Sequence, residues 1–486
     1  MSVRHYVLLA TDGFINLPVS KTICPAQETK QQIYAFGFVG GLFKVDEKIV
    51  NPILDWTNRK NWGKLLELKG TGTIPSPLIV GEVEDRIYIT LINLGMKERP
   101  DLIDDHTIHM HGAHVPSQLD GFPETSFGVP VWTDLTATPP AMTYFFLAEN
   151  PGTLMYHCHV EASEHIQMGM YGALIIYPSK KSLSLAGIRQ SVNKEWFYNG
   201  KPQAHIPKTA TNKNFAYNDI QTYFDKEYVM LLSDIDSVWH ESVHKGSFFN
   251  AANFKPDFWL INGRAFPDTL LPHPLSNTNI EFDSNLTRIN YESYVHIKTG
   301  QQFLLRMINM GYQVVPWHIH GWHFTIIGKD SHIDPFIHLA TLLQLDDSSH
   351  HALKNKGFTV SIGSGETYDL LLTSNDKRIE YLKYMILGQD GFPSFCSQLK
   401  KLNTIDANSI FNIPTEPVKC GSPELINYLK ICQQSLTDIN DQFFPQFFPM
   451  HNHDDYKITN KGIYPGGQLT YIQTDTPDYY VDEKFD

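Results

Sequence analysis

An all-β architecture made from two copies of one domain is the fold this sequence predicts, and three observations predict it. Short stretches alternate apolar and polar residues, as in Arg86-Ile87-Tyr88-Ile89-Thr90-Leu91-Ile92 and Tyr368-Asp369-Leu370-Leu371-Leu372, the period of a strand with one buried face. Glycine and proline punctuate these stretches often. A four-part pattern also occurs twice in the same order, which marks a repeat before any finer reading.

In the first copy Leu91-Ile92-Asn93-Leu94-Gly95 leads to His109-Met110-His111-Gly112, then Thr143-Tyr144, then His157-Cys158-His159, with Gly172 thirteen residues on. In the second, Met307-Ile308-Asn309-Met310-Gly311 leads to His318-Ile319-His320-Gly321, then Thr367-Tyr368, then His451-Asn452-His453, with Gly466 again thirteen residues on. The copies differ between the Thr-Tyr pair and the second histidine pair, where the second copy is longer by roughly 70 residues. That predicts a partly helical insertion near 382–444. Its helix would be Ser422 to Gln434, with Ser422 as cap, Pro423 at the first helical position and Glu424 in the first turn. The predicted organisation is a first domain over 1–178, a polar linker crossing the surface over 179–224 and a second domain over 225–486.

Length and composition set the outer bounds. A chain of 486 residues can bury a large core without disulfides. With 42% hydrophobic and 19% charged residues it reads as globular, and it holds no apolar run long enough to span a membrane. A net charge of −13 argues against nucleic acid or an anionic membrane as partner. The five cysteines, Cys24, Cys158, Cys396, Cys420 and Cys432, are too few and scattered for a disulfide framework; two pairs at most leave one over. Near the N-terminus the apolar stretch Tyr6 to Ala10 is short and lacks the pattern of a secretory leader, so localisation is not readable from it.

Strand alternation turns each His-x-His pair into a two-pronged ligand, because residues i and i+2 share a face. One such pair among 22 histidines means little, but four at matching places in a repeat predict a metal cluster. Eight neutral imidazoles suit copper, zinc, iron or nickel. Cys158 narrows that choice. In His157-Cys158-His159 the imidazoles face one side and the sulfur the other, so a sulfur-ligated metal would lie directly behind the cluster. With His106, His165 and Met170 nearby, the set is one thiolate, two imidazoles and one thioether, the ligands of a blue-copper electron-transfer site. In the second copy the equivalent positions are Asn452, Val315, Thr459 and Tyr464, none of which fits, so one mononuclear site per chain is expected.

These residues resemble those of the multicopper oxidases over about 74–178 and 225–480, and Phe258-Trp259-Leu260-Ile261-Asn262-Gly263-Arg264 is similar to a segment that opens the second domain in that family. The resemblance implies two cupredoxin-like Greek-key β-sandwich or barrel domains. Because the mononuclear site stands in the first copy rather than the last, the chain looks like the laccase-like two-domain type. It further implies four coppers per chain: a type 1 copper at His106, Cys158, His165 and Met170, a type 2 copper at His109 and His318, and a type 3 pair at His111, His157, His159, His320, His451 and His453. Also implied are a homotrimer with each cluster shared between subunits, and a periplasmic or secreted location.

The activity implied is one-electron oxidation of a phenol, an aromatic amine or a metal ion, coupled to four-electron reduction of dioxygen to water. Asp120, in Leu119-Asp120-Gly121, resembles an acid beside the type 2 copper that supplies protons; as a residue before glycine it reads equally as a turn aspartate. Glu161 and Glu164 lie between the mononuclear-site ligands, where they would orient a ligand or attract a metal-ion donor. His114, His323, His332, His338, His350 and His351 fall outside the matched pairs and are expected at the surface or behind the ligands. Two other readings use parts of the same set. A copper nitrite reductase needs neither His159 nor the His451–His453 pair, and a cupredoxin electron carrier needs no cluster at all.

Overall fold

In the computed structural model the described residues are 1–19, 29–271, 292–343, 354–375 and 446–475. Cys24, Cys396, Cys420, Cys432, His350, His351, the expected insertion and its helix lie outside them.

Nine strands build the first half: β1 (Val3–Pro18), β2 (Lys30–Val45), β3 (Lys48–Ile49), β4 (Ile79–Glu82), β5 (Arg86–Asn93), β6 (His109–Met110), β7 (Ala141–Leu147), β8 (Gly152–His157) and β9 (Tyr171–Tyr177). They form two sheets, β3-β2-β1-β5-β7 and β4-β9-β8-β6. Alternation assigns each side chain to a face. Tyr6, Leu8 and Ala10 of β1 meet Ile87, Ile89 and Leu91 of β5 and Leu154 and Tyr156 of β8 in the core between the sheets. Val7 and Leu9 point the other way, onto Trp62 and Leu65 of the short helix α1 (Trp62–Glu67) and onto Trp132. The apolar stretch Tyr6 to Ala10 is therefore the middle of a core strand.

A second helix, α2 (Ala162–Met168), follows β8 and leads back into β9. Residues 179–224 correct the expectation of a bare linker. They carry α3 (Lys180–Leu185) and a three-stranded antiparallel sheet, β10 (Ile188–Gln190), β11 (Trp196–Tyr198) and β12 (Lys201–Pro202). Leu183, Ile188, Trp196, Ile206, Phe215 and Ile220 make a small core of their own. The apolar residues are sparse in this polar stretch, but the turns between them bring them together, which composition alone does not reveal.

The second half repeats the central strands of the first and adds further strands at the sheet edges. Its strands are β13 (Lys226–Ile235), β14 (Phe258–Ile261), β15 (Val295–Lys298), β16 (Gln302–Asn309), β17 (Val315–Ile319), β18 (Phe324–Lys329), β19 (His332–Ile333), β20 (Lys356–Gly357), β21 (Thr359–Ile362), β22 (Thr367–Thr373), β23 (Gln446–Asn452) and β24 (Leu469–Asp475). A helix, α4 (Ser237–Lys245), links β13 to β14. Parallel β13–β16 with antiparallel β16–β22 matches β1–β5–β7, and β15-β24-β23-β17 matches β4-β9-β8-β6. Trp317, Phe303, Met230 and Leu370 lie in the core of this second sandwich. Ile15, Met155, Ala173 and Ile175 of the first half share a further core with Leu231, Leu260, Ile308 and Met310 of the second, so the halves are joined by apolar packing.

Candidate metal centres

The repeat places the histidines in the same register in both halves. On the second sheet of the first half His109 pairs with His157 across β6 and β8; in the second half His318 pairs with His451 across β17 and β23. Each His-x-His pair puts both rings on one face. In the first half the ring of His109 lies 5.1 Å from that of His111, 5.2 Å from His157 and 5.3 Å from His159. In the second, His318 lies 4.9 Å from His320, 5.6 Å from His451 and 4.9 Å from His453. The facing Nε2 atoms are 3.0 Å apart for His111 and His157 and 3.1 Å apart for His320 and His451.

Backbone carbonyls fix which nitrogen of several rings faces inward. The Nδ1–H of His109 donates to Asp120 O, that of His157 to Cys158 O, that of His318 to Phe358 O and that of His451 to Asn452 O, at 2.8 to 2.9 Å. A carbonyl can only accept, so the proton sits on Nδ1 and Nε2 presents a bare lone pair to the cluster, the tautomer a metal ligand needs. Burial, with neighbouring imidazoles adding to it, pushes His111 down to about 4, and burial pushes His157 down to about 3. Both are neutral at physiological pH and ready to ligate.

Behind β8 lies a different pocket. Leu154, Tyr156 and Cys158 face the core of the first half, so the thiol is buried while His157 and His159 face the cluster. The Cys158 Sγ is 3.7 Å from His106 Nδ1 and 3.4 Å from His165 Nδ1. His165 sits on α2, which ends at Gly169, and Met170 follows at once. Gly169 has φ +117°, and a Cβ there would fall 2.3 Å from Ile74 and 2.9 Å from Phe36 O, so only glycine lets the chain turn this tightly into β9. All four side chains, His106, Cys158, His165 and Met170, are buried. Burial pushes the thiol up to about 11 and His165 down to about 4, and holds His106 well below its ordinary value. A thiolate here thus needs a cation to replace its proton.

Three groups of ligand atoms close enough to share an ion emerge among the described residues: His106, Cys158 and His165; His109, His111 and His157; and His318, His320 and His451. One sulfur with two nitrogens suits copper, and converging bare imidazole nitrogens suit a second copper cluster. The residues fit the metal on chemistry as well as on spacing.

Other expected residues fall in informative places. Asp120 lies beside His109, its carboxylate 3.3 Å from Nδ1, and also closes a tight turn: a Cβ on Gly121 would meet Ile108 O at 2.4 Å. Glu164 accepts from the Trp239 indole of α4 at 3.3 Å, which ties the ligand loop to the second half, while Glu161 is exposed. His114, His323, His332 and His338 are exposed. Sequence reading missed Thr107, which is buried and accepts from His159 N at 3.1 Å. Its position, directly after His106, was the available signal.

A multicopper oxidase family model matches residues 51–180. The chain is 23% identical over 370 residues to L-ascorbate oxidase of Cucurbita maxima, covering 71% of this chain and 49% of that protein. It is 28% identical over 165 residues to a copper-containing nitrite reductase of Rhizobium meliloti, covering 33% of this chain and 39% of that one. The chain thus spans about half the length of the ascorbate oxidases it matches. In fold it is similar to the blue copper oxidase from Nitrosomonas europaea, with a TM-score of 0.52, 21% identity, and coverage of 100% of this chain and 92% of that one.

Proposed function

We propose that this chain is a multicopper oxidase, a copper-dependent enzyme that passes single electrons from a small donor to dioxygen; the family-model match over residues 51–180 and the similarity to L-ascorbate oxidase support this reading. One observation carries this reading. A single strand, β8 with its continuation His157-Cys158-His159, presents a buried sulfur to His106 and His165, with Met170 buried in the same core, and imidazoles to an open cluster on its other face. Neither a carrier nor a nitrite reductase calls for both faces and for the second four-histidine set.

Bound copper would supply the redox chemistry, oxidation of the donor at the sulfur site and four-electron reduction of dioxygen to water at the histidine cluster. The protein's own groups do the rest. His106, Cys158, His165 and Met170 would hold the type 1 copper, His109 and His318 the type 2 copper, and His111, His157, His159, His320, His451 and His453 the type 3 pair. Backbone carbonyls orient four of these rings. Asp120, against His109, would deliver protons to the reduced oxygen from its carboxylate.

Within one chain the two histidine sets are separate groups, and His320 and His453 of the second are exposed. An eight-histidine cluster would therefore form where the second half of one copy meets the first half of another. Such a contact joins unlike faces and closes after a fixed number of steps, three for a homotrimer. The donor would be a phenol, an aromatic amine or a metal ion.

Copper quantification with visible and spin-resonance spectra tests the reading, together with oxygen uptake against a donor panel and the mass of the assembly. Four coppers per chain and an intense blue thiolate band are the expected result. Two coppers would favour a nitrite reductase and one a carrier.

A further inference from the structure

The two faces of β8 are held by different parts of the molecule. Leu154, Tyr156 and Cys158 face the first half's own core, whereas Thr153, Met155 and His157 share the opposite face. Met155 is buried in the core that the halves share. Thr153 is buried in a polar contact with the second half. Its hydroxyl donates to Asp369 Oδ1 at 2.6 Å and accepts from Arg306 Nη1 at 3.0 Å, while its carbonyl accepts from Thr367 Oγ1 at 2.9 Å. Arg306 is fully buried, donates to Glu227 at 2.6 Å and lies 3.7 Å from Asp369, whose other oxygen accepts from Tyr217 at 2.6 Å.

The same segment of the second half reaches the cluster directly. Thr367 and Asp369 share one face of β22, and Gly365 lies in the turn just before it. Thr367 and Asp369 grip the backbone and hydroxyl of Thr153, and Gly365 lies against the ring of His111, where a Cβ would fall 3.4 Å from its Cε1; that ring faces His157 across 3.0 Å. At the start of β8 a Cβ on Gly152 would strike Ser331 at 2.5 Å, so the strand enters this contact with no slack. β22 and the turn before it thus bear on both strands that carry the His111–His157 pair.

We propose that Thr153, Asp369 and Arg306 form a positioning latch, through which the second half of a chain fixes the copper-binding geometry of its own first half. The latch acts on the histidine face of β8 and leaves the sulfur face, held by the first half's core, unaffected. This rests on the copper reading above. None of the three residues touches a metal position; they act through β8 and β22.

Copper titration of the metal-free protein tests it, with both sites read in one sample: the blue thiolate band for the sulfur pocket, and the spin-resonance signal with total copper for the histidine set. Thr153→Val should weaken copper at the histidine set roughly tenfold, the scale of losing a group that orients a ligand, with the blue band unchanged; Thr153→Ser, which keeps the hydroxyl, should restore it. Should Thr153→Val fail to fold, Asp369→Asn decides in the same way, weakening the histidine set alone. Wild-type affinity in these variants, or equal weakening at both sites, overturns the latch. Wild-type protein without a blue band would instead sink the copper reading, so the two failures are distinguishable.

Discussion

Strands β8 and β23 carry the same His-x-His pair in the same register, yet what stands between the histidines divides the two halves. In β8 it is Cys158, whose buried sulfur meets His106 and His165, with Met170 buried in the same core. In β23 it is Asn452, equally buried, whose amide donates to Gln468 Oε1 at 2.8 Å and whose carbonyl accepts from Asp454 N at 3.0 Å. Around it Val315 is a core residue and Tyr464 is mostly exposed. The imidazole face follows from strand alternation and appears wherever the repeat does. The sulfur pocket needs a loop of its own, α2 with Gly169, and among the described residues only the first half has that.

Removing the sulfur should break the comparison most severely. Cys158→Ser leaves both histidine sets in place, so copper at the cluster should persist while the blue band vanishes. Oxygen uptake should fall by roughly three orders of magnitude or more, about what removing a group that acts as one unit with its partners costs. Retained blue absorption would show that another residue supplies the thiolate. The reciprocal change, Asn452→Cys, should create no blue band, because Val315 and Thr459 cannot complete a ligand set. A blue signal there would mean that the pocket, and not its ligands, is what the second half keeps.

Next in size is the proton supply beside the cluster. Asp120→Asn preserves the turn and the carbonyl that orients His109 but removes the acid. Oxygen uptake should drop about a hundredfold, the low end for a positioned general acid, with copper content intact. Unchanged turnover would leave Asp120 as a turn residue only.

How much of this was legible beforehand follows from the same alternation. The all-β fold, the twofold repeat and the grouping of His109, His111, His157 and His159 depend on period-two spacing, which sequence displays directly. Cys158, His106, His165 and Met170 were readable as a set because three of them lie within one short loop. The folded stretch 179–224 was not, since its core is assembled from apolar residues separated by polar turns. Arg306, Asp369 and Thr153 were invisible for another reason. Arg306 and Asp369 lie 153 and 216 positions from Thr153, and no local pattern marks a buried polar contact between halves.

A smaller effect sharpens the contrast at Asn452. Replacing it by Ala leaves the Gln468 amide and the Asp454 N–H without their partner in a buried setting. That should cost about 1–3 kcal/mol of stability, read as a lower denaturant midpoint, while the blue band of the first half stays as it was. Loss of the blue band as well would show that the halves fold as a single unit, with no independence left to the sulfur pocket.

The smallest expected difference concerns acid. Burial lowers His111 to about 4, His157 to about 3 and His165 to about 4, against an ordinary value of 6.5. In metal-free protein these rings stay neutral when folded but take up protons when unfolded, so the unfolded chain binds more protons across this window. Their contribution to stability is complete above about pH 6.5 and is lost progressively as pH falls towards 3 to 4. In the second half His318 and His320 are lowered as well, but both are more open to water. Metal-free melting temperature should therefore decline steadily below pH 6.5, and imidazole resonances of His111 and His157 should remain those of neutral rings at pH values where His320 has begun to charge. Titration of all three rings together near the ordinary histidine value would remove the difference in burial between the halves, and with it the reason for expecting acid to act through the first.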